Sequence, residues 1–185
     1  MLELTVAQAC ERIPAGALLN TQNPASSLTD AIRVGESLES GEIASFGHTM
    51  RKAPGEAVYS QETRLVVLPL ARWVGCILRA YINPQYTARE FGILCDEEVL
   101  RLGTRYDWIG TSLGQLCRWV PFLGDWLASK VDIPWTNFCS EGRCEIEKKI
   151  YPRFNRGAAC QISPQDIDDF CLRDGWEILT FRLVA

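Results

Sequence analysis

The chain of 185 residues has one histidine and only two methionines. Any chemistry that needs an imidazole near neutral pH must therefore use His48. It lacks a basic excess as well: 19 Lys plus Arg stand against 23 Asp plus Glu, for a formal charge of −4. With no global positive field to hold a phosphate backbone, nucleic acid is not an expected partner. Long uncharged apolar runs are missing too. The most apolar stretch, Leu65 to Ile82, contains Pro69, Arg72 and Arg79, whereas a spanning helix needs about 18 apolar residues, so no transmembrane segment is expected. Near the N-terminus Glu3 and Glu11 stand where a secretory signal would carry basic residues and then an apolar core. The expectation is a chain that is cytoplasmic at synthesis. No internal repeat, low-complexity tract or Pro/Gly/Ser-rich linker divides it. One α+β domain over residues 1–185 is expected, large enough to bury roughly two-thirds of the surface its unfolded chain exposes.

Cysteine, by contrast, is abundant, with eight residues at positions 10, 76, 95, 117, 139, 144, 160 and 171. Most lie in apolar patterns such as Val74-Gly75-Cys76-Ile77-Leu78, where a thiol acts as a small hydrophobe. An even count permits disulfides, but without a secretory signal reduced and buried thiols are expected. Zinc sites present close Cys or Cys/His pairs twice over, and neither that spacing nor a second histidine is present. No metal and no organic cofactor is expected.

Along the chain, Ala15 to Thr21 reads as a short buried strand. A helix follows from the capping residues after Pro24 to about Glu39. Ala44–Arg51 and Ala57–Leu68 are strand-like and flank a Pro54-Gly55 turn, which predicts a hairpin. Leu70, Trp73, Val74, Ile77 and Leu78 recur at helical spacing. A second helix is expected over about Thr87–Leu102, and short helical pieces between Tyr106 and Trp135. Another helix should open after Thr136-Asn137-Phe138. Ser163 and Pro164 are the N-cap and first residue of the next helix. Trp176 to Val184 alternates as a closing strand.

Three segments carry candidate chemistry. His48 lies in Ser45-Phe46-Gly47-His48-Thr49-Met50 at a strand start, either as a structural histidine or as a base. Cys139 follows Thr136-Asn137, residues able to cap a helix. A cysteine in a first turn faces unpaired N–H groups and the positive end of the dipole, which lower a thiol pKa. The alternatives are one more buried cysteine, or a Cys139/Cys144 pair serving as metal ligands or a disulfide. The third segment, Gly103-Thr104-Arg105-Tyr106-Asp107-Trp108-Ile109-Gly110, reads locally as core.

Taken in order, Gly47-His48-Thr49, Val58-Tyr59-Ser60-Gln61, Gly103 to Gly110 and Phe138-Cys139-Ser140-Glu141 resemble the circularly permuted NlpC-type branch (YiiX-like) of the papain-like cysteine peptidase superfamily. The closing Ile162-Ser163-Pro164-Gln165-Asp166 and Gly175-Trp176-Glu177-Ile178 fit the same resemblance. It implies a papain-like fold with a central antiparallel sheet packed with helices. It also implies Cys139 as nucleophile, His48 as general base, Tyr106 lining the substrate site, and a polar residue among Ser60, Gln61 and Glu62 orienting the imidazole. Gln61 is the expected third member, because the wider superfamily accepts an amide there. The implied activity is a thiol hydrolase, an amidase, peptidase or acyltransferase, acting through an acyl-enzyme on cell-wall peptide (peptidoglycan) or lipid-linked acyl substrates. The competing expectation is a non-catalytic module that keeps the fold, such as a phage virion or secretion-apparatus component delivered to the cell envelope within a larger assembly.

Overall fold

The computed structural model describes residues 1–22, 46–106, 136–137, 139–154 and 163–185. The chain opens with a strand and helix that the periodicity did not announce, β1 (Leu2–Thr5) and α1 (Val6–Arg12). Thr5 and Gln8 form a capping box at their junction, which lets so short a helix start sharply. Then come β2 (Leu18–Gln22), β3 (His48–Lys52), β4 (Ala57–Gln61) and β5 (Leu65–Pro69). After them follow β6 (Ile77–Ile82), α2 (Ala88–Leu100), β7 (Arg105–Tyr106), β8 (Thr136–Asn137), α3 (Cys139–Ile150), α4 (Pro164–Arg173) and β9 (Glu177–Val184). Seven strands form one mixed sheet in the order β1-β9-β6-β2-β3-β4-β5, and β7 and β8 make a separate parallel pair. The expected antiparallel sheet is thus present with one exception, since β1 lies parallel to β9.

Two expectations along the chain are corrected. Ala57–Leu68 is two strands, because Glu62-Thr63-Arg64 reverses the chain and Glu62 N–H donates to the Arg64 carbonyl at 3.0 Å, so β5 returns antiparallel on β4. The predicted helix through Leu70 to Leu78 is a single 3-10 turn, Leu70–Trp73, followed by strand β6. Gly75, at φ +91°, breaks the helix in a conformation that costs residues with a Cβ. The helix expected over 24–39, the helical pieces between Tyr106 and Trp135, and Cys117 and Cys160 lie outside the described residues.

Alternation along the strands separates two layers. Leu19, Met50, Val58, Leu78, Ala80, Phe181 and Leu183 pack under Leu4, Ala9 and Ile13 on one face. Leu18 and Tyr81 pack against Cys144 of α3, Ile167, Phe170 and Cys171 of α4, and Trp176 on the other. Of the described cysteines, Cys95, Cys144 and Cys171 are buried free thiols, and burial pushes all three up in pKa. Cys76, expected to be buried, is half-buried. Among the described residues no helix is long and apolar enough to cross a membrane.

The α3 layer also holds a buried ion cluster. Arg51 of β3 donates from Nε to Glu98 of α2 at 2.9 Å and from Nη1 to Glu147 of α3 at 2.7 Å. Its Nη1 also reaches the Gly16 carbonyl at 2.6 Å, and Arg143 Nε lies 3.0 Å from Glu98. Burial alone would lower the Arg51 pKa, but Glu147 and Glu98 outweigh it and hold the guanidinium above its ordinary value. At Gly16 (φ +96°) a Cβ would meet the Phe91 carbonyl at 2.7 Å, so the close approach of α2 to this corner requires glycine. Replacing Arg51 with Met leaves two carboxylates buried, and we expect a loss of about 3–5 kcal/mol, typical of breaking a buried pair. Urea denaturation checks this; a loss under about 1 kcal/mol would show that the cluster is not needed to join β3 to the helices.

Candidate active site

His48 is the first residue of β3 and stands opposite Thr21 of β2. The β3–β4 hairpin closes at Pro54-Gly55, with Gly55 at φ +66°. Buried Lys52 clamps the turn, donating from Nζ to the carbonyls of Ala53 and Gly55. That closure sets Met50 opposite Ser60, one diagonal step from His48. His48 Nε2 lies 2.9 Å from Ser60 Oγ, and Ser60 Oγ donates to Glu62 Oε1, also at 2.9 Å. A carboxylate only accepts, so the Ser60 proton points to Glu62 and the hydroxyl must accept from Nε2–H. The network thereby selects the tautomer whose Nδ1 carries the lone pair. Burial pushes the His48 pKa down to about 4; Glu62 opposes the shift and Arg143 adds to it. The imidazole is neutral at neutral pH.

Gln61 does not perform the role expected of it. Its Nε2 donates to the Thr104 carbonyl at 3.0 Å, and alternation turns it to the opposite face from Ser60 and Glu62. The residue that orients the imidazole is Ser60, with Glu62 behind it. The signal was present in the sequence, since Ser60 and Glu62 are two apart and share a face, while Gln61 shares a face with neither.

Cys139 is the first residue of α3; its side chain lies outside the described residues, as does that of Tyr106. Two routes of contact bear on where the backbone carries them. Glu147 contacts Arg51, and Arg143, one turn earlier, donates from Nη2 to the Tyr59 carbonyl at 2.9 Å and acts electrostatically on His48. Eight residues back from Glu147 is a rise of about 12 Å along the helix. That equals three to four strand residues, roughly the step from Arg51 to His48. By the second route, the turn after Glu62 pairs Arg64 with Arg105. Arg105 and Tyr106 then pair with Thr136 and Asn137, two residues before Cys139. The faces differ, however. By alternation His48 sits with Met50 on the α1 side, whereas Arg51 and Tyr59 meet α3. Contact between helix start and imidazole would run around the end of the sheet.

Among the described residues no group of three or more His, Cys, Asp or Glu is placed to hold a metal ion. No protein-family model matches the chain, and no curated protein matches it either.

With a single histidine the imidazole is directly observable. We expect a single pair of ring C–H resonances (Cδ2–H and Cε1–H) that titrate together near pH 4, and a still lower midpoint in Glu62→Gln, where the opposing charge is gone. A group whose folded pKa is depressed stabilises fully above its unfolded value and loses that contribution as pH falls. Stability should therefore decline between about pH 6.5 and 4, and His48→Gln should flatten that decline. A midpoint near 6.5 would mean that the imidazole is solvated and the relay is not formed in solution.

Proposed function

We propose that the chain is a thiol hydrolase in which His48, oriented by Ser60 and Glu62, is the general base and Cys139 the nucleophile. The observation that carries this reading is the His48–Ser60–Glu62 relay, which presents Nδ1 as a basic lone pair at the end of the sheet toward which α3 begins. Nδ1 takes the thiol proton. The thiolate sulfur adds to the carbonyl carbon of an amide or ester, and the carbonyl electron pair moves to oxygen, where N–H groups at the start of a helix stabilise it. Collapse breaks the bond to the amine or alcohol, which leaves with the proton from His48. Water then adds to the thioester, giving a proton to Nδ1, and the acid departs as the thiol is restored.

A base with a pKa near 4 is weak by itself. Formation of a thiolate beside it raises the imidazolium's stability as Glu62 does, so proton transfer and ion-pair formation proceed together. Helix N-termini lower thiol pKa values in the same direction. The motif order supports amides of cell-wall peptide, or lipid-linked acyl groups, as the substrate class.

A second reading is favoured by one observation: His48 shares a strand face with Met50 while α3 packs on the other face. In that reading the relay is a structural polar bridge in a non-catalytic module. Brief iodoacetamide treatment near pH 6 followed by mass spectrometry separates the two. The hydrolase requires Cys139 to label faster than the other seven cysteines, with a fall of about tenfold or more in His48→Ala and a smaller one in Ser60→Ala. Labelling of Cys139 that is indifferent to His48 would favour the module.

A further inference from the structure

The exposed stripe of α2 carries Arg89 and Asp96, but its last turn and the residues that follow present aliphatic side chains to water. Val99 is 51% exposed and Leu100 79%, Ile93 is exposed two turns earlier, and Leu102 follows at 43%. The turn after α2 binds the edge strand: Gly103 N–H donates to the Leu65 carbonyl at 2.9 Å, and Leu65 N–H to the Thr104 carbonyl at 2.8 Å. Val67, further along that strand, is also exposed. The aliphatic side chains of two elements thus lie at one corner of the molecule.

Beside them the backbone brings two positive charges together. Arg64 and Arg105 are bridged antiparallel, and both are exposed. Neither forms an ion pair among the described residues. Like charges directly opposite across strands are destabilising, and an anionic group lying over both relieves that repulsion. Of the nearby acids, Glu97 pairs with Lys149 and Glu145 with Arg101, while Glu62 only accepts a hydrogen bond from the neutral Ser60 hydroxyl. Asp96 lies a turn before Leu100 on the helix.

We propose that Val99, Leu100 and Leu102, together with Arg64 and Arg105, form a docking surface for an anionic lipid bilayer. Aliphatic side chains at the acyl boundary with guanidinium groups at headgroup level is the arrangement that an interface of that chemistry recognises. The paired arginines favour lipid over an apolar protein face, which would have to desolvate them. Since the overall charge is −4, the chain as a whole offers an anionic surface no attraction, so binding draws on local charge such as this pair and is strongest at low salt.

The test is sedimentation of the full chain with phosphatidylcholine vesicles, with and without phosphatidylglycerol, at low salt. Cys139→Ala should bind like the parent, so the outcome is separate from the fate of the hydrolase reading. Binding should need the anionic lipid, fall about fivefold for each of Arg64→Gln and Arg105→Gln, and be abolished by Leu100→Ser with Leu102→Ser. These side chains face water, and unchanged thermal unfolding confirms that each variant folds. No binding to anionic vesicles, or binding that the variants leave intact, overturns the proposal. So does self-association that the leucine pair abolishes, which would make the corner a protein interface. A Leu100→Cys thiol shielded from a soluble maleimide in the free protein overturns it as well, since another part of the chain would then cover the patch.

Discussion

The cluster of Arg51, Glu98, Glu147 and Arg143 ties three elements distant in sequence. Arg51 belongs to β3, Glu98 to α2, and the other two to α3. Two cations and two anions are formally neutral together, so the cluster can be buried without a net charge. Each ion must nevertheless recover its lost hydration through close contacts. That requirement is directional, unlike the apolar packing around it. An apolar side chain such as Leu18 has no directional contact to satisfy, but Arg51 meets both carboxylates only when β3, α2 and α3 hold one register. Tyr86 adds a further constraint by donating to Glu147 at 2.6 Å, and its ring stands edge-on to Trp176 at 5.7 Å.

That register decides what can happen at the start of β3. Arg51 holds Glu147, Arg143 holds the Tyr59 carbonyl, and the Lys52 clamp closes the hairpin on which Ser60 stands beside His48. The imidazole is kept neutral by burial, with the Arg143 charge adding to the effect and Glu62 resisting it. The site and the ion cluster are not independent, because Arg143 belongs to both: it contacts Glu98 in the cluster and disfavours the imidazolium in the relay.

Much of the fold was legible where local physics decides. Thr87 and Ser163 cap α2 and α4 with full capping boxes, and the alternation of Trp176 to Val184 is a strand. Leu70 to Leu78 misled because apolar residues at helical spacing also describe a turn followed by a two-face-buried strand, and only Gly75 tells them apart. The Leu2–Thr5 strand was missed because it is held from outside, by parallel pairing with the far end of the chain. The opening of a helix after Phe138 was legible, but Thr136 and Asn137, read as capping residues, are strand residues of β8. Arg143 and the ion cluster were not legible, since four charged residues spread over nearly a hundred positions show no local period.

Gln61 shows why the third position of the site resisted the sequence. An amide there satisfies the general demand for an acceptor, and so do a hydroxyl and a carboxylate, so residue type alone does not choose. Strand parity does. Position 60 faces the imidazole, 61 faces Thr104, and 62 returns to the imidazole side at the turn. A serine between histidine and carboxylate is then a coherent arrangement: Ser60 reaches the ring from the neighbouring strand with a neutral hydroxyl and passes the hydrogen bond from Nε2 on to Glu62. The carboxylate stays one group away from the ring. That separation lets Glu62 raise the imidazole pKa only part of the way against burial, leaving the base neutral and its Nδ1 unprotonated over the whole neutral range.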